Sequence, residues 1–185
     1  PFPELKYGLE IRSDFSPDMV GASLLHPEKG KPLSVYSVLG SGIVLCDLST
    51  AFEKFPNQME AGFGSLLSLQ DKLESLHLAL GSEGVAVFIP ENVQSSVPLE
   101  LPFPLAHFTH VIVFAGKNSR VSLLHHEKGS SDSVSFHSSV VEILASEGAH
   151  VTYSSVQDFS LSQNRFAIKR ARVEQGAAVD WYWSE

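Results

Sequence analysis

The spacing of apolar positions changes near residue 83. Upstream, hydrophobic residues recur three and four apart, the period of an amphipathic helix. Asp47 or Ser49 can cap a short helix through Ala51, Phe52 and Phe55 that ends before Pro56. A longer helix is predicted after Ser68, where Ser68 and Asp71 form an S-x-x-D box and Leu69, Leu73, Leu76 and Leu80 follow at helical spacing. Gly81 and Gly84 supply its stop, and His77 is expected on its exposed surface. Downstream the period is two: Val85, Val87, Ile89; Val111, Val113; Val121, Leu123; Val151, Tyr153; Val179, Trp181. These are short strands bounded by Gly, Asn, Ser and Pro. The chain thus divides into a mixed helical region, residues 1–82, and a strand region, residues 83–185.

The strands repeat. Phe114–Leu123, Leu144–Tyr153 and Arg172–Trp181 match position for position, with a fainter copy at Phe88–Val93. The turn residue in successive copies is Asn92, Asn118, Gly148 and Gly176, at steps of 26, 30 and 28. Asn and Gly tolerate the left-handed backbone, so one tight turn is predicted to recur at each step. A period near 28 with two or three strands per unit fits a coil of stacked turns. Val121, Val151 and Val179 would then stack inward, followed by Leu123, Tyr153 and Trp181; Arg120, His150 and Ala178 would face out. Antiparallel hairpins in a jelly roll would give the same alternation.

Composition narrows the functions. Hydrophobic residues are 43% and charged residues 18% of 185, enough apolar material for a core. Thirteen basic against twenty-one acidic residues leave a net charge of −8, the wrong sign for nucleic acid or anionic membrane. No apolar run is long enough for a transmembrane helix. One cysteine, Cys46, rules out a disulfide framework or a multi-thiolate zinc site. The chain opens on Pro1-Phe2-Pro3 without an initiator methionine and closes on the strand-like run Val179–Trp183, which reads as a segment of something longer.

Ligand chemistry is sparse. His125-His126-Glu127 is the most ligand-like group, but adjacent strand residues face opposite ways, so the two histidines cannot share an ion and a structural role is preferred. His107 and His110 are split by the same geometry. Cys46 ends the apolar run Gly42-Ile43-Val44-Leu45 with no His or Arg beside it, the setting of a packing residue and not a sulfur relay. Arg165, Lys169, Arg170 and Arg172 form the one basic patch, read as a solvated or interface face. There is no phosphate-binding G-x-x-x-x-G-K-[ST] loop, no G-x-S-x-G elbow and no convincing triad, so no catalytic residue is assigned.

Several runs in order resemble the SufB/SufD family of iron–sulfur cluster assembly proteins. They are Gly84–Val93, His137-Ser138-Ser139-Val140-Val141-Glu142, Val151–Gln157, and Lys169-Arg170-Ala171 ahead of Glu174-Gln175-Gly176. The resemblance covers residues 84–185 well and the first 80 loosely. It implies a right-handed parallel β-helix, here incomplete, preceded by a small α/β N-terminal region. It implies a non-catalytic scaffold in the cytoplasm whose partners are SufB-like and SufC-like proteins. An iron–sulfur cluster, ATP and flavin would belong to the assembled system and not to this chain. SufB-type members carry a cysteine just before the E-x-G turn; this chain has Val173, which points to a SufD-like member. His137 and Glu142 match family motif positions and are expected to form a buried pair between turns; with His125 and His126 they are the weak metal-ligand candidates, and no metal site is assigned. The Val179–Trp181–Trp183 edge is expected to recruit another strand, giving self-association. The rival reading is a small metal-dependent cupin-like jelly-roll enzyme using His ligands; it needs an H-x-H pair, which the chain lacks.

Overall fold

A computed structural model describes residues 33–81, 83–102, 106–128, 135–159 and 163–184. The chain's opening residues and Glu185 lie outside these. Two sheets face each other. The first runs β1 (Tyr36–Val38), β2 (Val44–Asp47), β3 (Glu83–Ile89), β5 (Phe108–Ala115), β7 (Ser135–Ala145) and β9 (Gln163–Val173). The second runs β10 (Ala178–Ser184), β8 (His150–Asp158), β6 (Arg120–Lys128) and β4 (Leu99–Leu101). β1, β2 and β3 pair antiparallel; every other pair is parallel. Each turn of chain gives one strand to each sheet, so the region from β3 to β10 is a parallel β-solenoid of about 3 turns. Parallel pairing removes the jelly roll, whose strands would be antiparallel.

The repeat register holds. Val85 pairs with Val111, Val111 with Val141, and Val121 with Val151 and then Val179. Asn92, Asn118, Gly148 and Gly176 all have left-handed backbone, with φ of 59°, 54°, 68° and 70°. The ladder continues around these corners. Asn92, Asn118 and Gly148 donate their N–H to the carbonyls of Lys117, Glu147 and Gln175 one turn on, at 2.8, 2.9 and 3.0 Å. Between the sheets, Val85, Val87, Val111, Val113, Val121, Leu123, Val141, Ile143, Val151 and Tyr153 form one buried column. Val179 and Trp181 pack beneath it, partly buried because the last turn has no described strand on its far side.

Three helices lie among the described residues: α1 (Leu48–Lys54), α2 (Pro56–Gly62) and α3 (Lys72–Leu80). Asp47 caps α1, accepting from Thr50 N at 2.8 Å. Burial works against its charge, but donors from Thr50 and Val35 outweigh that and hold its carboxyl below the usual range. Pro56 ends α1 as expected and then starts α2 in its first turn, where its missing N–H costs nothing. α3 starts later than its S-x-x-D box suggests. Asp71 is itself the cap, accepting from Leu73 N and Glu74 N, while Glu74 reaches back to Ser68 N. Leu69 is left outside the helix and exposed. Gly81 closes the helix; Gly84 lies instead inside β3, where a Cβ would meet the His110 carbonyl oxygen at 1.8 Å.

Candidate functional site

Inward-facing side chains divide the lumen by chemistry. Toward the tight turns they are Val, Ile, Leu and Ala; toward the opposite edge they are Thr109, His125, Glu127, His137, Ser155, Arg165 and Lys169. His125 is buried, with its Nδ1 2.6 Å from the Tyr153 hydroxyl oxygen. Burial beside Lys169 and Arg165 pushes its pKa down to about 3, which keeps the imidazole neutral. Burial likewise pushes the Tyr153 hydroxyl well above its usual range, so it stays protonated. Glu127 is fully buried and held by the Arg165 guanidinium. Lys169 occupies the column held by valine in the three turns before it and donates to Ser155 Oγ at 2.6 Å. His126 faces the opposite way, toward solvent, as the strand period requires.

His137 and Glu142 do not form the expected pair. They stand five apart on β7, so they occupy opposite faces of the sheet. His137 points inward, with Nε2 3.4 Å from Thr109 Oγ1, and burial pushes its pKa down to about 4. Glu142 points outward beneath the helices. It accepts from Gly64 N at 2.6 Å, Leu66 N at 2.7 Å and His110 Nε2 at 2.9 Å. His77, expected on a helix surface, is fully buried with Nδ1 2.8 Å from Ser138 Oγ, because α3 turns that side onto β7. Arg170 completes this outer cluster, donating to the Leu66 carbonyl and to Glu74. Its sequence signal was the parity of β9, on which Arg165 and Lys169 share one face and Arg170 and Arg172 the other; the basic run is therefore not one patch. His107 holds the Phe136 carbonyl at 2.9 Å and does not join His110.

Among the described residues, no group of three or more His, Cys, Asp or Glu is placed to hold a metal ion. His125, His126, His137 and Glu142 are spread over the lumen, the solvent face of β6, and the lumen and outer face of β7. Cys46 is fully buried, and burial with the nearby Asp47 charge raises its thiol to about 11, so it packs as a thiol. No described helix is long and apolar enough to cross a membrane. At the far end of the sheets, Val179 and Trp181 are half-buried while Val173, Tyr182 and Trp183 are exposed, Trp183 by 66%.

The fold defines a parallel β-solenoid with a charged, hydrogen-bonded lumen. A family model described as the SUF system FeS cluster assembly, SufBD core domain, matches residues 103–185. The chain is 26% identical over 150 residues to an iron-sulfur cluster assembly SufBD family protein of Staphylococcus aureus, covering 76% of this chain and 32% of the relative. It is 28% identical over 152 residues to one of Arabidopsis thaliana, covering 76% and 31%. Together with the solenoid, these matches support membership of the SufB/SufD family. The chain spans about a third of the length of the curated relatives it matches.

Proposed function

We propose that the chain is part of a non-catalytic, SufD-like scaffold component of a SUF-type iron–sulfur assembly system, acting in the cytoplasm beside SufB-like and SufC-like partners. The observation that carries this is the stack of solenoid turns in register over the region matched by the SufBD core. The SufD-like part rests on Val173, half-exposed at the end of β9 where SufB-type members have a cysteine. Valine has no thiolate to receive sulfur or ligate iron. The cluster is cargo of the assembled system, to which ATP and flavin also belong.

A scaffold associates through surfaces. Among the described residues β9 and β10 are the outermost strands on one side of their sheets, and their backbone and apolar column suit a strand of the same solenoid geometry. The test compares this segment with its complete reading frame, each mixed with a SufC-type ATPase and a SufB-type partner, by size-exclusion light scattering. The expected result is partner binding by the complete protein, no ATP turnover by either alone, and no resident metal. Stoichiometric metal in the purified complete protein, with neither partner bound, would replace the scaffold by a metalloenzyme.

A further inference from the structure

The loop Gly64–Gln70 and helix α3 form a cover on the outer face of β5, β7 and β9. Its apolar attachment is small: Leu76 is half-buried against Phe108, Phe136 and Phe166. Its polar attachment is extensive. Glu142 holds two loop amides, Arg170 holds the Leu66 carbonyl and Glu74, and His77 holds Ser138. At the centre, the His77 and His110 rings lie 5.2 Å apart, both fully buried, and His77 Nε2 and His110 Nδ1 each lack a hydrogen-bond partner.

We propose that this cover is an acid-operated latch, in which a proton taken up by His77 releases α3 and the Gly64–Gln70 loop from the sheet. As they stand in the closed cover, the described groups facing His77 leave its cation without an acceptor. On β5 stands His110, whose Nε2 is committed to Glu142 and whose Nδ1 makes no hydrogen bond to His77 in the closed geometry. On β7, Ser138 already holds Nδ1, Glu142 is occupied by three donors, and His137 lies beyond it on the lumen side. On β9, Arg170 is itself a cation, and on α3 Glu74 is taken by Arg170 and Ser68 N. A protonated His77 would therefore bury an unpaired N–H and a charge together.

The sign follows from linkage. Burial and the neighbouring His110 and His137 push the His77 pKa down to about 3, against about 6.5 for an exposed histidine. The open cover binds the proton more tightly, so closure is favoured above about pH 6.5 and weakened as pH falls toward 3. Between pH 7.5 and 5.0 the opening equilibrium should rise about 30-fold. The test is amide hydrogen exchange of the full-length protein at both pH values, corrected for intrinsic rates. Residues 73–80 should lose about 30-fold of their protection at pH 5.0, while β5 and β7 keep theirs. In His77→Gln the change in residues 73–80 should fall below about 3-fold. Unchanged protection in the parent protein, a full response retained in His77→Gln, or joint loss from β5 and β7 would each overturn the latch. If His77→Gln does not fold, imidazole NMR of the parent protein decides: a charged His77 beneath a protected α3 overturns it, and a neutral His77 throughout the closed population supports it.

Discussion

Single residues here matter in proportion to the groups they leave unpaired. Glu142 is the strongest case, since one buried carboxylate serves two loop amides and an imidazole. Glu142→Ala removes all three acceptor contacts at a site water does not reach, and should cost about 3–5 kcal/mol in urea unfolding. The Lys117–Glu147 pair has a similar bond length, 2.8 Å, but both side chains are about half exposed. Lys117→Ala should leave the unfolding midpoint unchanged. Equal effects from the two would mean that Glu142 is hydrated and the cover loosely seated. Sequence alone did not single out this carboxylate's partners. Its motif position marked Glu142 as buried, but the donors that reach it come from residues 64 and 66, nearly 80 positions away, and no local period encodes that contact.

Elements were legible where the period was strict. The solenoid's inward column followed from alternation, and its corners from four Asn and Gly residues at near-constant steps. The helical half was less so. Pro56 breaks one helix but begins another, and Asp71 served as cap where the S-x-x-D pattern assigned that role to Ser68. His77 was misplaced because a short helix bears polar residues all round, so the sheet and not the pattern decides which side is buried. The corners permit a direct test. At Gly148 a Cβ would lie 2.4 Å from Asn118 Oδ1 and would have to hold positive φ. Gly148→Val should therefore cost about 3 kcal/mol, whereas Asn118→Gly, which keeps the left-handed turn, should cost under about 1 kcal/mol. Thermal melts of both variants check this; a tolerated valine would show that the corners need not stack as tightly as drawn.

At the scale of the molecule, each turn of the solenoid covers the apolar column of the one before, and among the described residues β10 leaves Val179 and Trp181 half-buried with Tyr182 and Trp183 exposed. A strand added in register would bury the inward set and leave Tyr182 untouched. The same charge placed on either face of β10 should thus have opposite consequences. Trp183→Lys would set an ammonium within the added layer, one strand from the Ser155 hydroxyl already bound by Lys169, in a lumen whose carboxylate, Glu127, is already held by Arg165. Burying it unpaired should weaken association with a solenoid partner, or self-association, at least 10-fold in sedimentation equilibrium. Tyr182→Lys adds an equal charge one residue away on the opposite face of the same strand and should leave that affinity unchanged. Equal losses would place the contact on the flat outer face of the second sheet, and no loss from either would remove the open end as the docking surface.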